Sequence, residues 1–423
     1  MKLEGKKLLV LGGVLGMVEL TKRAQELGVK VYVTDYLEDS PAKKYADKSF
    51  MVSTTDVDAV VELCNEEGID GIITGNVDLL LPYYAQICEK TKLPCYGTYE
   101  HFMIMTDKEL FKNVCRKYNV PVIKEYENTE NLKNVQFPVL IKPVDSSGSK
   151  GISICNDENE LLIGIEKALS FSRSKRYMIE KYMTGDEAVL YYYFQNEKPV
   201  FMGMCDRYVN KEQQGVAQVS TAYIFPSRYT QKHMEVTDKL IKNMYKELKV
   251  QNGSTFLQAF IEEDLPVLYE PGYRLNGARE QYIYSNTNEI DITTMLINFA
   301  LTGKMDECDI ETKADPMLNG KVACMLSPVI KQGTVSRIEG MDKIKELEAV
   351  KKVILINEVG NCITEKVVGT LSQIAFRAYI VEDNMMELKK VVDKILDTVV
   401  YYDENNESMM LTPFDTNLLL TNY

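Results

Sequence analysis

The sequence predicts an α/β and α+β protein with a doubly wound parallel sheet first, then a compact α+β lobe with antiparallel strands, and then an α/β tail. Near the start, short apolar runs alternate with helix-length segments, which is the order of a parallel sheet. Further on, Ala188 to Phe194 and Pro199 to Cys205 are predicted to be paired strands. We predict divisions at 1–104, 105–310 (with the small lobe at about 119–185) and 311–423.

Composition limits the function classes. The chain has 423 residues, 45% hydrophobic and 26% charged, which is typical of an ordinary globular protein. A net charge of −13 argues against a general nucleic-acid or anionic-membrane surface. Nine cysteines without CxxC pairing favour free thiols in a reducing cytoplasm. Only two histidines are present, so a histidine-rich metal site is not expected.

The first hundred residues form repeated β–α units. A strand at Lys7 to Leu11 leads into two glycines, a helix to Leu27, and a strand that ends at Asp35. The order suggests a dinucleotide site, but Leu11 occupies the place of the first glycine in GxGxxG, and a tight turn explains the glycines equally well. A ligand of this sheet is expected near Gly12, Asp35 and Asn76. Further elements are predicted at Val57–Glu67, Gly71–Thr74, Pro82–Lys90 and, as a strand, Leu93–Tyr96.

Downstream, Thr106 and Glu109 fit a capping box that begins a helix ending at Tyr118, and Lys108 inside it is interpreted as a solvated residue on this evidence alone. The remaining predictions are helices at Asp157–Leu169, Gln231–Leu248 and Met386–Thr398, a loop at Lys211–Ala217, and strands at Tyr177–Met183, Phe256–Ile261, Pro266–Glu270, Lys321–Met325, Val353–Asn357 and Gly369–Val381.

The segment 137–154 is predicted to be a hairpin with a loop of small residues. Lys142 lies at the base of the loop, and Ser146 to Gly151 form it. Backbone N–H groups and hydroxyls in such a loop can surround an anion. A hairpin tip without a ligand is an equal alternative, since Ser and Gly are turn residues. The pattern GxxxxGK[ST] is missing, so a P-loop fold is not predicted.

A second polar group is predicted where two strands face each other. Period-2 alternation allows Gln258 on one strand to face Glu270 at the end of the next. With Arg274 nearby, this arrangement suggests a metal ion and a phosphate. A structural Glu270–Arg274 ion pair is the plain alternative and is slightly favoured on these residues alone.

Together, these motifs resemble the ATP-grasp superfamily over nearly the whole chain. The similarity includes TDKELFK, VLIKP, the Ser/Gly loop and TGDEAV, and the tail, with GTVSRIEG and GTLSQIAFRAYI, is most similar to the L-amino-acid-ligase branch. The resemblance implies a pre-ATP-grasp domain, a two-lobed ATP-grasp module and a C-terminal domain. It also implies nucleotide contacts from these residues: Lys108, Lys142, Ser146, Ser147, Gly148, Gly151, Glu180, Lys181, Tyr182, Met183 and Glu187. Glu180 would meet the adenine edge and Glu187 the ribose.

The metal end departs from the family pattern. Gln258, Glu270 and Arg274 match, but Gly272 stands where the family has asparagine, and Asn276 or a water is a candidate replacement ligand. Magnesium, or manganese in its place, needs few protein carboxylates when phosphates complete its shell. Lys142 and Arg274 are the predicted catalytic residues. Arg377 and Arg207 are interpreted as surface arginines rather than substrate anchors.

The resemblance implies an ATP-dependent, ADP-forming ligase that joins a small carboxylate, such as an amino acid, to an amine through an acyl phosphate. The alternatives are a bicarbonate-phosphorylating carboxylase or carbamoyl-phosphate-type enzyme, a nucleotide-dependent dehydrogenase, and a non-catalytic nucleotide-binding protein. The expected partners are ATP, Mg²⁺, a carboxylate and an amine, with neither nucleic acid nor membrane. A homodimer is the default expectation for the assembly.

Overall fold

A computed structural model describes residues 3–126, 135–146, 150–209, 219–305 and 308–423 of the chain. The predicted mixed α/β class is confirmed, because a four-stranded parallel sheet is present together with antiparallel sheets of eight and four strands. Ser147, Gly148 and the loop predicted at Lys211–Ala217 lie outside the described residues.

The N-terminal region is a parallel sheet with strand order β3-β2-β1-β4 and helices packed on it. Its elements are β1 (Lys7–Leu11), α1 (Leu15–Glu26), β2 (Lys30–Thr34), β3 (Lys48–Phe50), α2 (Val57–Glu67), β4 (Gly71–Ile73) and α3 (Leu81–Thr91). The carboxylate of Asp35 accepts hydrogen bonds from the N–H groups of Gly13 (2.7 Å) and Leu37 (2.9 Å). Asp35 therefore holds the glycine turn in place.

The strand predicted at Leu93–Tyr96 is wrong. Lys92 adopts a left-handed conformation (φ 57°) that ends α3, and the Leu93 N–H bonds back to the carbonyl of Cys88. The ring of Tyr96 packs edge-on against Phe102 and Tyr273, so aromatic packing fixes this segment without a ladder. The short strand β3 was not predicted, since two of its three residues are exposed and lack an apolar signal.

Two helices connect the N-terminal sheet to the small lobe, namely α4 (Tyr99–Thr106) and α5 (Lys108–Lys117). The predicted capping box at Thr106 is wrong, because Thr106 ends α4 and Asp107 caps α5 by accepting from the N–H groups of Glu109 and Leu110. An aspartate is an equally good cap. Because the cap is one residue later than predicted, Lys108 is the first residue of α5.

The small lobe is a four-stranded antiparallel sheet of order β5-β8-β6-β7 covered by one helix. Its elements are β5 (Glu125–Tyr126), β6 (Val139–Pro143), β7 (Ser153–Cys155), α6 (Glu158–Phe171) and β8 (Tyr177–Lys181). The predicted hairpin is formed, since β6 pairs with β7 from Val139–Cys155 to Ile141–Ser153. Val139, Ile141 and Leu161 are fully buried and give the lobe its own core.

The large sheet is antiparallel and eight-stranded, with order β13-β12-β9-β10-β11-β14-β19-β17. Its first part contains β9 (Glu187–Gln195), β10 (Lys198–Val209), β11 (Ser220–Phe225), α7 (Thr230–Val236), α8 (Asp238–Glu247), β12 (Gly253–Glu262), β13 (Leu265–Tyr273), α9 (Gln281–Thr287) and α10 (Ile292–Thr302). The helix predicted at Gln231–Leu248 is broken at Thr237. Its hydroxyl lies 2.6 Å from Nδ1 of His233, one turn earlier, and such side-chain bonds compete with the helix.

The C-terminal part extends the same sheet across the predicted boundary at 310/311. Its elements are α11 (Ile310–Lys313), β14 (Val322–Leu326), β15 (Gly333–Thr334), β16 (Arg337–Glu339), α12 (Met341–Lys345), β17 (Val350–Leu355), β18 (Cys362–Ile363), β19 (Phe376–Glu382), α13 (Met385–Thr398), β20 (Val400–Tyr402) and α14 (Leu418–Thr421). All nine cysteines are free. Within the described ranges, none of the helices is long and apolar enough to cross a bilayer.

Candidate active site

Lys108 joins three elements at the mouth of the cleft. It is the first residue of α5 and is 8% exposed. Its Nζ donates a hydrogen bond to the carbonyl of Ser146, 2.6 Å away, in the loop after β6. The same nitrogen lies 3.7 Å from Oε1 of Glu270 on β13. The helix, the loop and the large sheet therefore meet at one ammonium group, and the interpretation of Lys108 as a solvated residue is wrong.

A buried ionic cluster lies deeper in the small lobe, and we call it the inner cluster (Lys112, Glu125, Lys142 and Glu180). Lys142 Nζ is 2.8 Å from Oε1 of Glu180, which also pairs with Lys112, and Lys112 is 3.1 Å from Glu125. Burial raises the pKa of Glu180, but the two ammonium groups outweigh it and hold that pKa below its ordinary value. Burial lowers the pKa of Lys112.

Glu180 is thus engaged through its carboxylate with lysines rather than left open to a base. It is 2% exposed, and both lysines reach the same oxygen. Its predicted contact with an adenine edge stays a prediction. The ion pair at 2.8 Å holds the ammonium group of Lys142 in position.

A cavity of about 410 Å³, which we call the α5 cavity, opens beside Lys108 and Glu270. Arg176, the residue directly before β8, pairs with Asp107 and with Glu109 (2.5 Å). It therefore links the small lobe to the start of α5. Asp78 from the N-terminal region also lines this cavity. The α5 cavity is therefore bordered by the N-terminal region, by the small lobe and by the large sheet.

Gln258 and Glu270 face each other, as predicted. They are direct partners in the register of β12 and β13, which brings opposing Cβ atoms to about 4.5–5.5 Å. Tyr269 donates from its hydroxyl to Oε1 of Gln258 (2.7 Å), and its ring centroid lies 5.9 Å from Lys142 Nζ. The side chain of Glu270 is 34% exposed. One carboxylate and one amide oxygen at this point fit a Mg²⁺ ion whose remaining ligands are phosphates and water.

Packing against β12 explains why position 272 is a glycine. It is the register partner of Phe256 on β12, and a Cβ on Gly272 would lie 2.3 Å from the Phe256 ring. The phenyl ring occupies the space that an asparagine would need. The ring also lies under the guanidinium of Arg274, 4.9 Å from its centroid. The missing ligand is therefore replaced by an aromatic support for Arg274.

Arg274 is paired with the N-terminal region. Its Nε and Nη2 donate to the two oxygens of Asp78, at 2.7 and 2.5 Å, in a bidentate arrangement. The expected Glu270–Arg274 ion pair is wrong, because the described ion pair of Glu270 is with Lys108. Asp78, which the sequence analysis did not single out, aims Arg274 and lines the α5 cavity at the same time.

The residues predicted to hold the base and ribose lie at the edge where β8 leads into β9. Lys181 pairs with Glu262 (2.5 Å), the Tyr182 N–H donates to Pro138, and Met183 packs with Ile123. Glu187 forms an ion pair with Arg207, and the Tyr269 hydroxyl is 3.4 Å from its carboxylate.

Arg207 and Arg377 are both largely buried, contrary to the prediction that they are surface residues. The surface interpretation of Arg207 is wrong, because its side chain is only 18% exposed against Glu187. Arg377 is 6% exposed and donates to the carbonyl of Gly277, so it is also buried.

Asn276 lies apart from the Gln258–Glu270 pair in its contacts. Its Oδ1 accepts from the N–H of Ala278 (3.1 Å), and the residue lines a different cavity, beside α1. Ser146 and Gly151 bracket the Ser/Gly loop, and Gly151 has φ 78° with Pro143 and Phe171 packed close to it. The nucleotide roles of Ser146 and Gly151 and the metal role of Asn276 remain predictions.

Comparison with known proteins identifies the family. Residues 135–277 match the model of the ATP-grasp domain. The chain carries an ATP-grasp domain. Residues 8–93 match the PylC-like N-terminal domain that precedes it, so the predicted superfamily is confirmed.

Individual relatives are distant. The chain is 26% identical over 239 residues to the 2-oxoglutarate carboxylase small subunit of Hydrogenobacter thermophilus (52% of this chain, 48% of that protein). It is 29% identical over 209 residues to a formate-dependent phosphoribosylglycinamide formyltransferase of Sulfurisphaera tokodaii (46% and 52%). The chain thus spans about half the length of these curated relatives. An L-amino acid ligase structure from Bacillus licheniformis superposes with a TM-score of 0.77 at 18% identity, covering 95% of this chain and 99% of that one.

Three side chains that contact the predicted site residues were missed by sequence reasoning, namely Lys112, Asp78 and Phe256. Lys112 lies four residues after Lys108, so helical spacing puts both lysines on one face of α5, and that spacing was an available signal. Asp78 and Phe256 had no such signal, because each acts on a residue that is distant in sequence or on a facing strand.

Proposed function

We propose that this ATP-grasp protein is an ATP-dependent, ADP-forming ligase that joins a small carboxylate, such as an amino acid, to an amine through an acyl phosphate. The convergence of Lys108 Nζ on the Ser146 carbonyl (2.6 Å) and on Glu270 (3.7 Å) carries the proposal. It brings a cation, the loop that would cover phosphates and the carboxylate that would hold a metal ion to one place.

The proposed chemistry has two steps. A carboxylate oxygen attacks the γ-phosphorus of ATP, the bond to the β-γ bridging oxygen breaks, and ADP leaves with that electron pair. The amine then attacks the acyl carbon, and inorganic phosphate leaves with the carbon–oxygen electron pair while the amine gives its proton to solvent. The protein's task is to neutralise charge and align the groups.

Each residue then has a defined task. Lys108 and Lys142 bind phosphate oxygens, and Arg274 binds the oxygens of the acyl phosphate. Gln258 and Glu270 would hold Mg²⁺, which neutralises phosphate charge when it is bound. Asp78 and Phe256 position the guanidinium of Arg274. Ser146 and Gly151 bracket the loop that excludes water from the phosphoryl group.

A bicarbonate-phosphorylating enzyme is the second candidate. It is supported by the similarity to the 2-oxoglutarate carboxylase small subunit, and bicarbonate is a small carboxylate that the same residues could bind. For the location, we propose the cytoplasm, because nine free thiols persist in a reducing compartment.

The test is a screen for ADP release with Mg²⁺ and ATP. The panel contains the L-amino acids, other small carboxylates and bicarbonate, each alone and in pairs with an amine. The proposal expects ADP release that requires both a carboxylate and an amine. Release with bicarbonate alone would select the second candidate, and no release above the ATP-only rate with any pair would refute the ligase assignment.

A further inference from the structure

A second cavity, of about 370 Å³, lies along one side of α1 and is separate from the α5 cavity; we call it the α1 cavity. Its walls come from α1, from the end of β4 and from the chain that follows Arg274. Leu275 and Asn276 line it directly after Arg274, and Asn76 lines it two residues before Asp78. Residues that line the cavity are therefore close chain neighbours of both members of the Arg274–Asp78 pair.

Arg279 is the buried cation of this wall, and it forms no ion pair with any described residue. It is 6% exposed, its Nη1 is buried without a hydrogen-bond partner, and its Nη2 reaches only the carbonyl of Leu15 at 3.4 Å. It also adopts φ 66°, a conformation that non-glycine residues rarely occupy. A buried, unpaired guanidinium held in a strained backbone is costly unless something binds it.

The wall also contains three other cations and three carboxylates. Lys352 pairs with Glu19 at 2.9 Å, and the same carboxylate also attracts Arg279 from beyond ion-pair distance. Arg23 pairs with both Asp291 (2.9 Å) and Glu26 (3.0 Å). Lys22 places its ammonium 4.3 Å from the ring of Tyr45. The wall therefore has four cations against three carboxylates, and Arg279 is its buried cation without an ion pair, so an anionic group of a ligand fits there.

Two acceptors in the same wall also have no described partner. Oδ1 of Asn76 and Oε1 of Gln281 are buried without hydrogen bonds. The carboxamide of Asn76 packs over Gly16, where a Cβ would lie 2.1 Å from its Oδ1. These acceptors require N–H or O–H donors from a ligand, because buried acceptors are normally satisfied.

We propose that the α1 cavity binds a zwitterionic amino acid, with its carboxylate on Arg279 and its ammonium group facing Asn76 and Gln281. The unpartnered groups of the wall comprise one cationic donor and two acceptors, which is the complement of an α-amino acid. The role of this amino acid as a co-substrate rests on the proposed ligase function. The lining residues Leu275 and Asn276 follow Arg274 directly in the chain. Arg279 is then a specificity-determining residue.

Binding is tested first without catalysis. Each of the twenty L-amino acids is titrated into the full chain by calorimetry, with and without a non-hydrolysable ATP analogue and Mg²⁺. For any amino acid that binds, the matched amide (no carboxylate) and the N-acetyl derivative (no ammonium) should bind at least about 30-fold more weakly, since each leaves a buried group unpaired. Equal binding of the amide, or tighter binding of inorganic phosphate than of every amino acid, would overturn the proposal. Failure of all twenty would do the same.

Variants then locate the site. Arg279→Gln should weaken binding of the same amino acid at least about 30-fold, whereas Arg23→Gln, which removes the same charge from the same wall but from a paired residue, should change it less than about 3-fold. Equal losses in the two variants would overturn the assignment. If Arg279→Gln does not fold, the amide and N-acetyl comparison on the wild type decides.

The outcomes separate this proposal from the ligase function. Amino-acid binding that depends on Arg279 without any ADP release would refute the ligase and keep the site. ADP release with a KM for the amine unchanged by Arg279→Gln would keep the ligase and refute the site.

Discussion

The two lysines of the cleft, Lys142 and Lys108, lie in opposite electrostatic surroundings. Lys142 is enclosed in the inner cluster, 2.8 Å from a carboxylate that is 3% exposed. Lys108 is loosely matched, since Glu270 is 3.7 Å away and 34% exposed. A tight, buried pair fixes geometry, whereas a loose, accessible pair can exchange its partner for a ligand. The difference indicates that Glu180 holds Lys142 in a fixed position for a phosphate, whereas Lys108 can exchange Glu270 for a ligand.

The largest expected effect is at the mouth. Glu270→Ala should lower the rate of carboxylate-dependent ADP release about 100-fold or more, because the carboxylate proposed to hold Mg²⁺ is lost, and with it the cation that would neutralise phosphate charge in the transition state. The melting temperature should stay close to that of the wild type. Glu262→Ala is the matched control, since Glu262 is an exposed glutamate on the neighbouring strand β12 whose described ion pair is with Lys181. Wild-type turnover in Glu270→Ala would contradict the assignment.

The inner cluster should respond in stability first. Glu180→Gln leaves Lys112 and Lys142 buried without their shared carboxylate, so we expect a loss of about 3–5 kcal/mol in the free energy of unfolding. Denaturant unfolding measures it, and Glu270→Gln is the comparison that should cost far less. Equal losses in both variants would remove the distinction between the two lysines.

The same carboxylate gives a pH dependence. The folded-state pKa of Glu180 is lowered, so its stabilisation is present above the unfolded-state pKa and is lost as the pH falls through the folded-state value. Wild type should therefore lose more stability than Glu180→Gln in the acidic range.

The packing of Phe256 against Gly272 predicts a coupled pair. Gly272→Asn should cost about 1–3 kcal/mol of stability, because the new side chain meets the Phe256 ring. The double variant Gly272→Asn, Phe256→Ala should be more stable than the sum of the single losses, by about 0.5–3 kcal/mol. Additive losses in a double-mutant cycle would show that the ring does not exclude the family asparagine.

A second pH effect concerns Glu280, which is buried and feels the charge of Arg274. Burial raises its pKa to about 8, so the folded protein binds a proton that the unfolded chain releases. Stability from this group is full below the unfolded-state pKa of about 4.3 and declines as the pH rises toward 8. Glu280→Gln should flatten this decline in thermal melts between pH 5 and 8, and an unchanged slope would refute the prediction.

The sequence was sufficient for the elements with strong periodicity and for one long-range pair. Alternation along two strands placed Gln258 opposite Glu270, and that pairing is confirmed. It failed where tertiary packing overrides local pattern. The Tyr96 segment is held by rings from distant helices and strands rather than by a ladder.

Partners of charged residues were the least predictable part of the site. Arg274 was expected to pair with Glu270, four residues away, and instead pairs with Asp78, which follows β4 in the N-terminal region. Nothing local specifies that contact, because it depends on how the N-terminal sheet docks on β13. The unpartnered state of Arg279 is likewise visible only once its wall is assembled.

The acyl phosphate is the central claim, and isotope transfer tests it most directly. Wild-type protein is incubated with ATP, Mg²⁺, an amine and a carboxylate from the ADP-release screen whose two oxygens are ¹⁸O. The account predicts that one ¹⁸O atom appears in each inorganic phosphate released, because the carboxylate oxygen attacks phosphorus and stays there. Phosphate that carries no ¹⁸O above background would contradict it.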